Sequence, residues 1–340
     1  MYDVVILTLE EPPSGCVSGV GSPSSGLAAD RAGAGRGGDC AGCGSADACD
    51  TRPRTPVLHC ADALTAAGAR VETVTAHDDA AIDAVLARFD APEQPDGIRR
   101  PDQDGKLRLV VAVAADAQLR HVVRRLVRRY APAPSKRPAD LPADRTVPDL
   151  PPLAVLPLNA RESADLATRL GLPREPADVA RAVLSDRVRR LDLLRQDGGS
   201  VVIDGALFGA ADQHGRSIAW YGRVEVDDLV LTDGKDAVLA CAVTVADGYA
   251  KVDGIDLVAD PDPADGLVEV GLAVAAVAKR RFGPDQHRIE VRRARGRAVS
   301  ITPHPAAEGE TLPFVEDGVT GELTRKRSWW IERQAWGVYA

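Results

Sequence analysis

The period of the apolar residues changes once along the 340-residue chain, near Val188. Before that point, short apolar runs alternate with amphipathic stretches. Asp3 to Leu9 (DVVILTL), Arg70 to Ala76 (RVETVTA) and Leu109 to Ala115 (LVVAVAA) read as strands. Between them, Val57, Ala61 and Leu64 share one helical face, and so do Ile82, Val85 and Leu86. A third helix follows at once, with Leu119, Val122, Val123, Leu126, Val127 and Tyr130 as its apolar stripe. The order β-α-β-α-β-α predicts a parallel sheet with helices packed on it. Leu153 to Leu158 reads as a further strand, followed by helices at Ala164 to Leu170 and Pro176 to Leu184. After Val188 the helical period is gone. Short alternating segments such as GRVEVDDLVLTDG and AVLACAVTVADG follow one another, punctuated by Gly and Asp turns.

These patterns predict an α/β domain over residues 1–150 and a β-rich sandwich domain over 151–340, with the C-terminal segment docking back. Two stretches break the pattern. Residues 12–55 are rich in Gly, Ser, Ala and Asp without an apolar period, as in a loop or disordered insertion. Residues 131–152 are proline-rich and read as an extended connector.

Charge and hydropathy exclude some functions. The net charge of −8 gives no basis for broad nucleic-acid binding. No run approaches the ~18 apolar residues of a membrane span. The start, MYDVVILTLEEPP, has no basic segment and does not read as an export signal. A cytoplasmic protein is expected, one able to work at the periphery of a membrane. Arginine and alanine richness beside few lysines reads as GC-rich codon usage rather than as chemistry.

Chemistry is sought first where the strand ending at Ala115 meets the next helix. A direct strand-to-helix turn is where many α/β proteins hold a phosphate. Here the turn is Ala114-Ala115-Asp116-Ala117-Gln118, with no glycine. A second turn lies in PLNARESADLA, Pro157 to Ala167, before a helix that stops at Leu170-Gly171-Leu172-Pro173. In the β-rich part, Pro263-Ala264-Asp265-Gly266-Leu267-Val268-Glu269-Val270 stands out, as does Asp317-Gly318 near the end.

In this order and spacing the chain resembles the diacylglycerol kinase family of lipid kinases, from about Val57 to the C-terminus. Residues 114–118 stand where that family has Gly-Gly-Asp-Gly-Thr, and Asp116 is the residue that matches. Pro157, Asp165, Leu166 and Ala167 match the family's Pro-x-Gly-Thr-x-Asn-Asp-Leu/Phe-Ala, though the Gly-Thr core is absent and the turn is two residues longer. The segment around Asp265 resembles the family's Asp-Gly-Leu-aliphatic-Asp-Val, and the tail RSWWIERQAWGVY resembles its closing Trp-containing strand. The resemblance implies a Rossmann-like three-layer nucleotide-binding domain followed by a β-sandwich. It implies ATP and Mg²⁺ as cofactors and a lipid hydroxyl as phosphoryl acceptor. Ala114, Ala115, Asp116, Ala117, Gln118 and Asp165 would then form the nucleotide site, Asp265 the catalytic base, and Asp116 and Asp317 the metal-binding acids.

Physical chemistry leaves a second reading beside it. Glycines in a phosphate turn permit positive φ and let backbone N–H groups approach the oxygens. Phosphoryl transfer rests on such positioning, so alanines and a glutamine there weaken it. The alternative is a catalytically inactive relative, a pseudokinase, acting as a binding or regulatory module. Asp-Gly is also an ordinary turn, repeated here at Asp197, Asp204, Asp233, Asp247 and Asp253.

Three other features invite function. Cys40, Cys43 and Cys49, with His59 and Cys60, carry zinc-ligand chemistry, but without a second matched pair or apolar packing around them. The outer face of the third helix, with Arg120, His121, Arg124, Arg125, Arg128 and Arg129, suits an anionic membrane surface or, more plainly, acids on its neighbours. Trp329, Trp330 and Trp336 fit a tail docked on the core.

Overall fold

A computed structural model of the chain describes residues 1–10, 54–102, 104–159, 165–278, 286–304 and 311–340. Cys40, Cys43, Cys49 and nearly all of the expected 12–55 loop lie outside the described residues.

The first half runs β1 (Asp3–Leu9), α1 (Arg54–Ala66), β2 (Arg70–Ala76), α2 (Asp79–Leu86), β3 (Leu107–Val113), α3 (Asp116–Tyr130), β4 (Leu153–Pro157), α4 (Leu166–Arg169) and α5 (Pro176–Leu184). Its four strands are parallel, in the order β2-β1-β3-β4. Successive residues of a strand point to opposite faces, and here both faces are covered. Val5, Leu7, Leu109 and Val111 pack under α2 and α3. Val4, Ile6, Val110 and Ala112 pack under α1 and α5. Burial on both sides explains why these strands are continuous apolar runs rather than alternating ones.

The second half holds β5 (Val188–Gln196), β6 (Val201–Val202), β7 (Gly205–Phe208), β8 (Ala210–Ala211), β9 (Ser217–Ile218), β10 (Gly222–Val226), β11 (Leu229–Asp233) and β12 (Ala237–Thr244). It continues with β13 (Lys251–Val252), β14 (Ile255–Asp256), β15 (Val268–Ala278), β16 (Gln286–Gly296), β17 (Ala298–Pro303), β18 (Leu312–Glu316), β19 (Val319–Leu323) and β20 (Arg327–Tyr339). One antiparallel sheet of six strands is ordered β16-β15-β12-β7-β18-β19. The remaining long strands do not close on themselves. They extend the parallel sheet of the first half, giving β11-β10-β17-β20-β4-β3-β1-β2, with β5 and β6 attached beside β20.

The seam is the last strand. The start of β20 pairs antiparallel with β17, and its end pairs parallel with β4 through Val338 and Leu153. A register shift between Glu332 and Trp336 lets one strand serve both neighbours, with Gln334 left-handed at φ 50. Trp329 and Trp336 are fully buried, and the Trp329 ring meets Phe208 edge-on at 5.3 Å between centroids. Phe208, Val243 and Leu272 of the six-stranded sheet share one core with Val224, Ile301 and Trp329 of the larger sheet.

The protein is thus mixed α/β with one large parallel–antiparallel sheet and a separate antiparallel sheet. Residue 150 is not where the first sheet ends. β4, grouped by sequence with the second half, is the fourth strand of the parallel sheet, and α5 packs against α1. A five-residue strand carries no local mark of the partner it will choose.

Candidate functional site

The turn from β3 into α3 is built without any left-handed residue, since Ala115 is extended at φ −150 and Ala114 and Ala117 do not have positive φ. Alanine is therefore tolerated at all three positions. No side chain caps α3 at Ala115. Instead Gln118 reaches back, and its Oε1 accepts the N–H of Ala114 at 2.6 Å. That N–H is one of the groups a phosphate turn would direct at its ligand. The space bounded by Val113, Ala114, Ala115, Asp116, Pro157, Asn159 and Asp165 is about 10 Å³, room for about one water.

Asp116 opens α3 and faces α4. Its two oxygens accept the N–H of Leu166 at 3.0 and 3.1 Å, and Oδ2 accepts Nη2 of Arg169 at 2.9 Å. Asp165 is the N-cap of α4: its Oδ1 accepts the N–H and the hydroxyl of Thr168, each at 2.9 Å, and it is ion-paired with Arg174. Both acids are thereby committed to folding α4 against α3.

The same nitrogen of Arg169 crosses to the second half. Nη2 donates to Oδ2 of Asp204 at 2.5 Å, in the turn between β6 and β7. Asp204 is completely buried, and its Oδ1 accepts the N–H of Gly248 at 3.1 Å. Burial pushes its carboxyl up to about 6, against the pull of Arg169. Asp247 stands at the rim, its Oδ1 3.9 Å from Nε of Arg169.

Asp317 supports this turn from behind. It sits left-handed at φ 45 between β18 and β19. Its Oδ2 accepts the N–H of Ile203 at 2.9 Å, and its Oδ1 accepts those of Asp204 at 2.9 Å and Gly205 at 3.2 Å. Burial pushes its carboxyl up to about 7. Arg120 of α3 comes from the other side, with Nε 3.5 Å from Asp317 and Nη2 donating to Glu316 at 2.7 Å. Asp116 and Arg120 are one helical turn apart, so one face of α3 carries both links to the second half.

Asp265 lies elsewhere. Its Oδ1 accepts the N–H of Leu267 at 2.8 Å, and its Oδ2 is ion-paired with Arg295, which also holds Glu269. Its turn is pinned by the buried Asp192, which accepts the N–H groups of Gly266 and Gln334, each at 2.6 Å. Asp116 and Asp317 thus join one network through Arg169 and Asp204, whereas Asp165 pairs with Arg174 at the cap of α4 and Asp265 forms its own network with Arg295. A cleft of about 760 Å³ is lined by Arg169, Leu170, Asp247, Lys251, Asp260 and Pro263.

The sequence reading missed Arg169, Asp204 and Glu316 and misplaced Arg120, which is part-buried between the halves rather than on the outer face. Arg125 pairs with Asp79 and Asp83, Arg129 with Asp90, and His121 with Asp79. Arg124 and Arg128 are the exposed members of that face. Cys60 faces the core, and burial raises its thiol to about 11. Among the described residues no group of three or more His, Cys, Asp or Glu is arranged to hold a metal ion, and no helix is long and apolar enough to cross a membrane.

Among the described residues, those at the turn from β3 into α3 do not fit ATP with Mg²⁺. The Ala114 N–H is spent on Gln118, about 10 Å³ is open beside the described turn residues, and Asp116 already accepts from a guanidinium.

No family model matches the chain, and no curated protein matches it. Solved structures do share its fold. A diacylglycerol kinase from Bacillus anthracis superimposes with a TM-score of 0.56 at 11% identity, over 99% of this chain and 96% of that one. Two more from the same organism, which also bear the diacylglycerol kinase name, superimpose at 0.54 and 0.56. They are 12% and 10% identical and cover 84% and 99% of this chain, and 91% and 97% of their own. At such identity the likeness is one of fold.

Proposed function

We propose that this chain keeps a diacylglycerol-kinase-like fold, a Rossmann-like three-layer domain joined to a β-sandwich, and uses it as a binding or regulatory module without ATP-dependent phosphoryl transfer. The observation that carries this reading is the closed turn, where Gln118 takes the Ala114 N–H and about 10 Å³ is left beside it. Phosphoryl transfer depends on backbone donors and cations held against the phosphates. Here those donors and acids are bonded to each other. The expected setting is the cytoplasm, with a lipid or an anionic membrane surface as the partner class that the fold suggests.

The second reading is a working lipid kinase using ATP and Mg²⁺, with Asp265 as base. The segment Pro263 to Val270 and the shared fold favour it. Calorimetry with ATP and Mg²⁺ separates the two. The first reading expects no binding at about 1 mM ATP, a concentration that saturates sites of ordinary affinity. Micromolar binding that requires Mg²⁺ would overturn it in favour of the second.

A further inference from the structure

Asp116 and Asp204 come from different halves, yet each directs an oxygen at the same nitrogen, Nη2 of Arg169. Asp204 is fully buried, and the side chain of Arg169 is 17% exposed. Two carboxylates this close repel unless a cation stands between them, and the repulsion grows as water is excluded. A third acid, Asp247, waits at the open side, where the cleft supplies solvent. Oxygen ligands from two or three carboxylates, completed by water, are the surroundings that hard divalent cations take. In this chain a tethered guanidinium fills that space instead.

We propose that Arg169 is a built-in substitute for a divalent cation: it neutralises the Asp116–Asp204 pair, joins the two halves and keeps free metal out. The guanidinium is charged at every working pH and needs no metal in solution. Its position is set by short-range structure. α4 is one turn long, Asp165 caps it, and its first N–H is held by Asp116 itself, so Arg169 projects back over Asp116. Gly248 leaves room, because a Cβ there would fall 2.8 Å from Nε of Arg169. The proposal rests on the junction geometry behind the non-kinase reading, but the test below uses no nucleotide, so the two fail separately.

Removing the guanidinium should convert the junction into a metal site. Mn²⁺ is titrated by calorimetry and by electron paramagnetic resonance into the full chain, without nucleotide. The wild type is expected to show no one-site binding up to about 1 mM, whereas Arg169→Ala and the neutral, amide-bearing Arg169→Gln should each gain one site with a Kd of roughly 0.1 mM. Adding Asp116→Asn to either variant should weaken that site by about tenfold or more, since it removes a charged ligand. Mn²⁺ should also raise the Tm of both variants and leave that of the wild type unchanged. Folded variants without a new site would overturn the proposal, as would a wild-type site that Asp116→Asn abolishes. So would variants that fail to fold even with Mn²⁺ present, because the proposal requires that a metal can stand in for the guanidinium.

Discussion

A Cβ on Gly248 would fall 2.0 Å from Oδ2 of Asp204. The backbone passes this close because its N–H bonds to Oδ1 of the same carboxylate at 3.1 Å. The need is steric, since φ of Gly248 is not in the left-handed range. Gly248→Ala must therefore push Asp204 off Arg169 or move the 247–250 turn. It is expected to destabilise the protein by about 1–3 kcal/mol, as overpacking of a tight site does. Urea denaturation measures it, and a variant as stable as the wild type would show that the junction is loose.

Stability should fall as pH rises through neutrality. Burial holds Asp204 at about 6 and Asp317 at about 7, both above the ~4 of an unfolded aspartate. The folded state therefore binds more protons than the unfolded chain. The stabilising contribution is complete below about pH 4 and fades as pH climbs through the two folded values. Urea stability is expected to drop by up to about 4 kcal/mol between pH 5 and pH 8. Asp317→Asn should lower stability overall, because an amide cannot accept from three N–H groups, and it should flatten the upper part of the curve. A wild-type profile that rises across this window would sink the assignment.

Much of the α/β half was legible because its signal is local. The stripe Leu119 to Tyr130 and the run Leu109 to Val113 announce helix and strand by period alone. The tryptophans near the end announced docking, and Trp329 and Trp336 are buried at the seam. The shared sheet was not legible, because Val338 finds Leu153 across most of the second half and no local pattern marks that choice. The junction was hidden for a related reason. Asp204 is one Asp-Gly among many, and Arg169 is one arginine in an arginine-rich chain. Gln118 was visible as a replaced hydroxyl, but its backward bond to Ala114 depends on where the turn places it.

Restoring Gly-Gly-Asp-Gly-Thr at 114–118 tests whether the turn alone limits nucleotide binding. The four substitutions Ala114→Gly, Ala115→Gly, Ala117→Gly and Gln118→Thr free the N–H and allow positive φ. They leave Asp116 bonded to Arg169 and Leu166. ATP binding is therefore expected to stay undetectable at about 1 mM in calorimetry. Stability should drop by about 1 kcal/mol for glycine at the helical position 117, with smaller losses in the turn. A gain to micromolar affinity would show that the glycines were the only barrier.

Asp265→Asn separates a base from a turn residue. The Arg295 partner is half exposed, so the ion pair is worth about 0.2–1 kcal/mol. The amide keeps an oxygen for the N–H of Leu267, and the turn is held independently by Asp192 through Gly266. The variant is expected to lose less than about 1 kcal/mol in urea denaturation. It should match the wild type in a radiolabelled-ATP assay on diacylglycerol vesicles, with neither forming phosphorylated lipid. If the wild type does form it and Asp265→Asn slows it by about a hundredfold or more, the carboxylate serves as a general base and the kinase reading replaces ours.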